Sequence, residues 1–106
     1  MFSDSNNLYS LDNTKFLITD KVTNLSNFFK NCKSLTYIND INFWNTSNVK
    51  NMSSLFRNCK SLTNLSGIYN WDTSNVINMS SLFYDCRNLE KKKLKFHIGK
   101  QKMSKF

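Results

Sequence analysis

Proline is absent from this 106-residue chain, glycine occurs only at positions 67 and 99, and the one histidine is His97. With so little of the usual turn chemistry, reversals of the chain fall to Asn, Asp and Ser. These residues tolerate unusual dihedral angles and hydrogen-bond their own backbone, and the 17 Asn and 14 Ser suit that need. The acids are scattered, and no Ser/His/Asp grouping, phosphate loop or metal-ligand spacing is present, so catalysis, a cofactor and a metal are not expected. The three cysteines, at positions 32, 59 and 86, are an odd number and evenly spaced. If they sit on neighbouring helices, equivalent positions fall about 10 Å apart, beyond disulfide reach, and the wide spacing does not suit zinc. Buried free thiols are expected instead. No apolar run approaches a membrane span, and no basic segment followed by an apolar run, nor a lipid-attachment cysteine, opens the chain. Neither a signal peptide nor a transmembrane segment is expected.

What is present is a repeat. VKNMSSLFRNCKSL, from Val49 to Leu62, has counterparts in VTNLSNFFKNCKSL from Val22 to Leu35 and VINMSSLFYDCRNL from Val76 to Leu89. Val22, Val49 and Val76 mark a 27-residue period, and Phe29, Phe56, Phe83 and Cys32, Cys59, Cys86 keep it. A fixed period of this size marks stacked supersecondary units. At about 100° per residue, Val49, Met52, Leu55, Phe56 and Cys59 fall within an arc of roughly 120°, which predicts a short amphipathic helix in each unit. Asn45-Thr46-Ser47-Asn48 and Asp72-Thr73-Ser74-Asn75 stand upstream as helix starts. Downstream, Leu35-x-x-Ile38 and Leu62-x-x-Leu65, with Ile41 and Ile68, predict a short strand and loop closed by Trp44 and Trp71. Asn51 with Asn78, and Asn48 with Asn75, are placed to stack as amide ladders.

The expected fold is therefore an α/β solenoid, a leucine-rich-repeat-like stack of about four 27-residue strand-loop-helix units. The repeat region is 1–89, with a partial unit near 1–16 and units at 17–43, 44–70 and 71–89. One unit cannot bury enough apolar surface to stand alone, so stacking must hold the array together. The register extends back into the first unit, where Phe2 aligns with Phe29, Leu8 with Leu35, Leu11 with Ile38, Phe16 with Phe43 and Leu17 with Trp44.

Charge is uneven. Of the 15 Lys and Arg, eight lie in 1–89 against six Asp, whereas seven Lys lie in 90–106 against one Glu. This segment is read as a basic C-terminal cap or tail, in which the alternation of Leu94, Phe96 and Ile98 with Lys95 and His97 suggests an edge strand guarded by lysine. Lys91, Lys92, Lys93, Lys95, Lys100 and Lys102 are the candidate contacts to a polyanion such as nucleic acid.

The runs WNTSNVKNMSSLFRNCKSL (Trp44 to Leu62) and WDTSNVINMSSLFYDCRNL (Trp71 to Leu89) resemble the repeat of BspA-type leucine-rich-repeat surface proteins, also called the mycoplasma lipoprotein repeat. The resemblance covers 44–89 strongly, 17–43 moderately and 1–16 weakly. It implies a bacterial cell-surface location, adhesion or host contact, and no catalytic residues or cofactor. On this reading the chain is a non-catalytic module for protein or host-surface interaction. Candidate contacts are Lys50, Asn51, Arg57 and Asn58 on the repeat surface and Trp44, Tyr69 and Trp71 in the loops, although the tryptophans recur at the repeat period and are expected first to close the core and only second to serve as contacts. The alternatives are a cytoplasmic scaffold for a polyanion-binding tail, or a piece of a larger repeat protein. End-to-end self-association is a further possibility for open repeat edges.

Overall fold

Along Asn51 to Leu62 the backbone N–H groups alternate in destination. Those of Leu55, Arg57, Cys59 and Leu62 turn back to the carbonyl three residues earlier, at 3.1 to 3.3 Å. Those of Met52, Ser54, Phe56 and Asn58 reach across to Asn78, Ser80, Leu82 and Tyr84, at 2.7 to 3.0 Å. The same offset, one short of the full repeat, recurs one pass earlier, from Leu25, Asn27, Phe29 and Asn31 to Asn51, Ser53, Leu55 and Arg57, and again from Phe2 and Asp4 to Phe28 and Lys30. An α-helix would spend nearly all these donors within itself. Here about half of them tie one pass of the chain to the next.

This is a computed structural model, and it describes residues 1–89 together with two short strands further on. Strands β1 (Ser10–Leu11) and β2 (Tyr37–Ile38) pair in parallel with Ser10 opposite Tyr37 and Leu11 opposite Ile38. Single parallel bridges join Asn24 to Asn51 and Asn51 to Asn78. Short 3-10 turns occupy Ile41–Phe43 and Ser66–Asn70. Strands β3 (His97–Ile98) and β4 (Gln101–Lys102) pair antiparallel. The body measures 32 × 29 × 20 Å.

The expected α/β solenoid of strand-loop-helix units is overturned. Among the described residues there is no α-helix, and the strands are two residues long. The physical reason lies in the dihedral angles of the presumed helix. Asn27 and Asn31, Ser54 and Asn58, and Ser81 and Asp85 all have φ between 56° and 63°, a left-handed conformation that ends any right-handed helix and that Asn and Asp adopt most cheaply. The presumed helix starts are local turns as well. Asn45 and Asp72 accept the N–H and the hydroxyl of Ser47 and Ser74, two residues on, and Asn51 does the same with Ser53. Asp72 is held below its ordinary carboxylate range by the Ser74 hydroxyl first and the Ser74 N–H second.

The apolar stripe itself is buried. Val49, Met52, Leu55, Phe56 and Cys59 are all closed to solvent, as are Leu62 and Ile68. Frequent chain reversals at near-helical spacing return side chains to one side much as a helix does, so the periodicity located the core while leaving the element undecided. Inside, Phe2, Phe29, Phe56 and Phe83 form a column of nearly parallel rings at 5.4, 5.7 and 5.9 Å between centroids. Trp44 and Trp71 form a second, at 5.7 Å. At Gly67 an added Cβ would meet the Ile41 side chain at 2.5 Å, so the second 3-10 turn can lie against the first only with glycine there.

The basic segment 90–106 falls outside the described residues apart from β3 and β4. Lys91, Lys92, Lys93, Lys95 and Lys100 are among those outside it, and so are Leu94 and Phe96 of the expected edge strand.

Candidate functional site

Each pass uses its polar groups in the same places, and this decides which residues remain for function. The three cysteines are free and buried. The thiols of Cys32, Cys59 and Cys86 donate to the carbonyls of Phe2, Phe29 and Phe56, 30 residues back, at 2.9, 3.1 and 2.9 Å. Burial pushes the Cys32 and Cys59 thiols above their ordinary range. Because the passes are joined by backbone hydrogen bonds, their separation is that of paired chains and not the wider one of packed helices. The distance argument against a disulfide therefore does not apply, and the observed free thiols rest on their placement as donors.

Trp44 and Trp71 repeat the thiol pattern with indole groups. Their Nε1–H groups donate to the carbonyls of Thr14 and Ile41, also 30 residues back, at 3.0 and 2.9 Å. Only 3% and 8% of these residues is exposed, so both close the core and neither presents a contact surface. The amide ladder does not run through Asn51 and Asn78. Their side chains serve local turns, and Asn48 and Asn75 donate to the carbonyls of Asp20 and Ser47. A ladder runs instead through Asp4, Asn31 and Asn58, whose amides donate to the preceding side-chain oxygen at 2.7 and 2.6 Å.

Of the remaining sequence candidates, Lys50 is exposed, Asn51 and Asn58 are half-buried in these turns, and Tyr69 is 45% exposed on the second 3-10 turn. Arg57 is half-buried, with its guanidinium 5.0 Å from the centre of the Tyr84 ring. The structure does not bring these residues together at one pocket.

Five aromatic side chains on the segments that carry β1, β2 and the 3-10 turns are exposed. Tyr9, Phe16, Tyr37, Phe43 and Tyr69 are exposed between 42% and 80%. Phe16 and Phe43, one period apart, share a shallow pocket of about 250 Å³ with Lys15, Thr19 and Asp20. The Lys15 ammonium lies 5.4 Å from one ring centre and 4.8 Å from the other. A larger open cleft of about 680 Å³ lies between Tyr37–Asn42 and Thr63–Asn70. Its floor is apolar at Ile38, Ile41 and Leu65, and its rim carries amides, including Asn39, which donates to Asp12. Of these exposed aromatics the sequence reading selected only Tyr69. Phe16 and Phe43 were aligned as equivalents, and two equivalent phenylalanines outside the helical stripe were the available signal.

Comparison with known families decides the relationship. The whole chain, residues 1–106, matches the family model described as Mycoplasma protein of unknown function, DUF285. The chain belongs to this family. No curated protein and no solved structure matches it. Among the described residues of this DUF285 chain, no three His, Cys, Asp or Glu side chains are grouped to hold a metal ion, and no helix is long and apolar enough to cross a membrane.

Proposed function

We propose that this DUF285 chain is a non-catalytic binding module of a bacterial cell surface, related to the BspA-type repeat proteins and making protein or host-surface contacts. The observation that carries the reading is the exposed pair Phe16 and Phe43, which shares one pocket with Lys15, while Tyr9, Tyr37 and Tyr69 are exposed as well. Clustered exposed apolar groups are costly to a soluble body and mark contact surfaces. Aromatic rings with a cation above them, as Lys15 lies over Phe16 and Phe43, provide broad contact area at small entropic cost. The thiols support the non-catalytic part, since each is a buried donor to a carbonyl and two are pushed toward the neutral form, the opposite of what a nucleophile requires.

The test has two arms. Protease treatment of intact source cells should remove the chain, detected with an antibody to its repeats, while a cytosolic control survives. Protection until lysis would overturn surface display. Labelled chain should bind host cells, and the double variant Phe16→Ser, Phe43→Ser should lose about tenfold in affinity at unchanged stability. Equal binding by the variant would overturn the aromatic surface as the contact.

A further inference from the structure

The 27-residue register aligns charge as well as apolar groups. Of the eight Lys and Arg in 1–89, five lie at two neighbouring positions of the repeat: Lys30 and Arg57 at one, Lys33, Lys60 and Arg87 at the other. Hydrogen bonds on both flanks place equivalent residues side by side. On one flank Asn31 donates to Arg57 and Asn58 to Tyr84, and on the other Thr63 donates to Thr36. Neighbouring passes are 5.7 and 5.9 Å apart where their phenylalanine rings stack.

The side chains are held at this corner. Asp85 receives Arg87 at 2.9 Å and Lys60 at 3.8 Å, which anchors both at the third pass. The Arg87 side chain remains 67% exposed and that of Lys60 37%. The Arg57 guanidinium lies 5.0 Å from the Tyr84 ring centre, and its Nε is buried with no hydrogen-bond partner among the described residues. Within the two columns and the flanking amide ladder, the acids are Asp4 and Asp85 only, so the corner carries a surplus of positive charge.

We propose that this corner binds a linear sulfated polysaccharide, whose anionic groups lie across the columns of Lys30 and Arg57 and of Lys33, Lys60 and Arg87. Spaced cations without stacking surfaces define the ligand class. Single-stranded nucleic acid is held by aromatic faces as well as by charge. The exposed aromatic at this corner, Tyr84, already has the Arg57 guanidinium on its ring. The site shares no residue with the Phe16–Phe43 pocket and deepens the surface-binding reading by assigning a ligand chemistry to a second set of residues.

The test uses the purified full chain and heparin as the probe, so its result does not depend on where the chain resides in the cell. Three double variants remove equal charge: Lys33→Gln, Arg87→Gln at the corner; Lys21→Gln, Lys50→Gln elsewhere on the body; and Lys91→Gln, Lys93→Gln in the basic segment. Tryptophan fluorescence and protection of the three thiols report that each variant is folded. The corner variant should lose about tenfold or more in affinity and show a flatter salt dependence, with the other two changing by less than about threefold. Equal losses in all three, or the largest loss in the 91–93 variant, would overturn the site. Tighter binding of a short single-stranded DNA than of heparin would overturn the polysaccharide as its ligand.

Discussion

Phe43 and Phe56 belong to columns built by the same 27-residue period, yet they have opposite fates. Phe56 is fully buried between the rings of Phe29 and Phe83. Phe43 is 52% exposed at the end of a 3-10 turn whose inward residue is Ile41. A repeat period guarantees that equivalent residues meet their counterparts. It does not decide whether the column faces the interior. Columns that also find a facing segment within their own pass become core, and columns that do not become surface available for recognition.

Truncation of each ring tests this contrast most strongly. Phe56→Ala should cost about 4 kcal/mol in urea unfolding, because it removes the middle ring of a sealed stack. Phe43→Ala should stay within about 0.5 kcal/mol. Similar costs for the two would break the comparison.

The left-handed turns offer a second test, of about half that size. Asn58 has φ near 60° and donates to Asn31. Asn58→Ala should cost about 2 kcal/mol, combining the left-handed strain with the lost bond. Asn58→Gly removes only the bond and should cost about 1 kcal/mol. Equal effects of the two substitutions would show that backbone strain is not what sets this position.

A third test uses pH. Cys32 and Cys59 are raised above the ordinary value of 9.0, by burial above all. Unfolded thiols lose their protons near that value while the native ones keep theirs. The stabilisation is therefore fully present below it and falls as pH rises further. Urea midpoints should decline as pH rises above about 9, and Cys59→Ala should flatten that decline relative to the parent. In the native protein at neutral pH a thiol reagent should find none of the three cysteines, and in urea all three. A modest effect is expected at Trp44. Trp44→Phe keeps most of the packing and loses the donor to Thr14, about 1 kcal/mol.

Alignment was the part of this architecture most legible from sequence. The equivalence of Phe2 with Phe29, and the burial of Met52, Leu55, Phe56 and Cys59, follow from period and pattern. The element type did not, because apolar residues at spacings of three and four suit successive tight turns as well as a helix. Composition held the missing signal. The chain has no alanine and only one glutamate, and the presumed helices contain Asn, Ser and Asp at interior positions where they compete poorly. Asn31, Asn58 and Asp85 recur at a single position of the repeat, and that position is left-handed in each copy. The contact residues were less legible still. Trp44 and Trp71 recur at the repeat period, which favours a closing role in the core over contact, and both are buried with Thr14 and Ile41 receiving their indole N–H groups.

The near-repeat offset between backbone donor and acceptor also has a temporal meaning. A pass cannot complete its backbone pairing until the following pass has been made, because some of its N–H groups, such as those of Met52, Ser54, Phe56 and Asn58, require carbonyls that come later in the chain. At roughly 5 to 20 residues per second, each pass waits about 1 to 5 s on the ribosome for its partner. Contacts this distant in sequence also place the refolding of the finished chain in the millisecond-to-second range or slower. During synthesis the most recently made pass is always the incomplete one, and the Phe and Leu side chains that later form the core are then open to chaperones or to neighbouring chains.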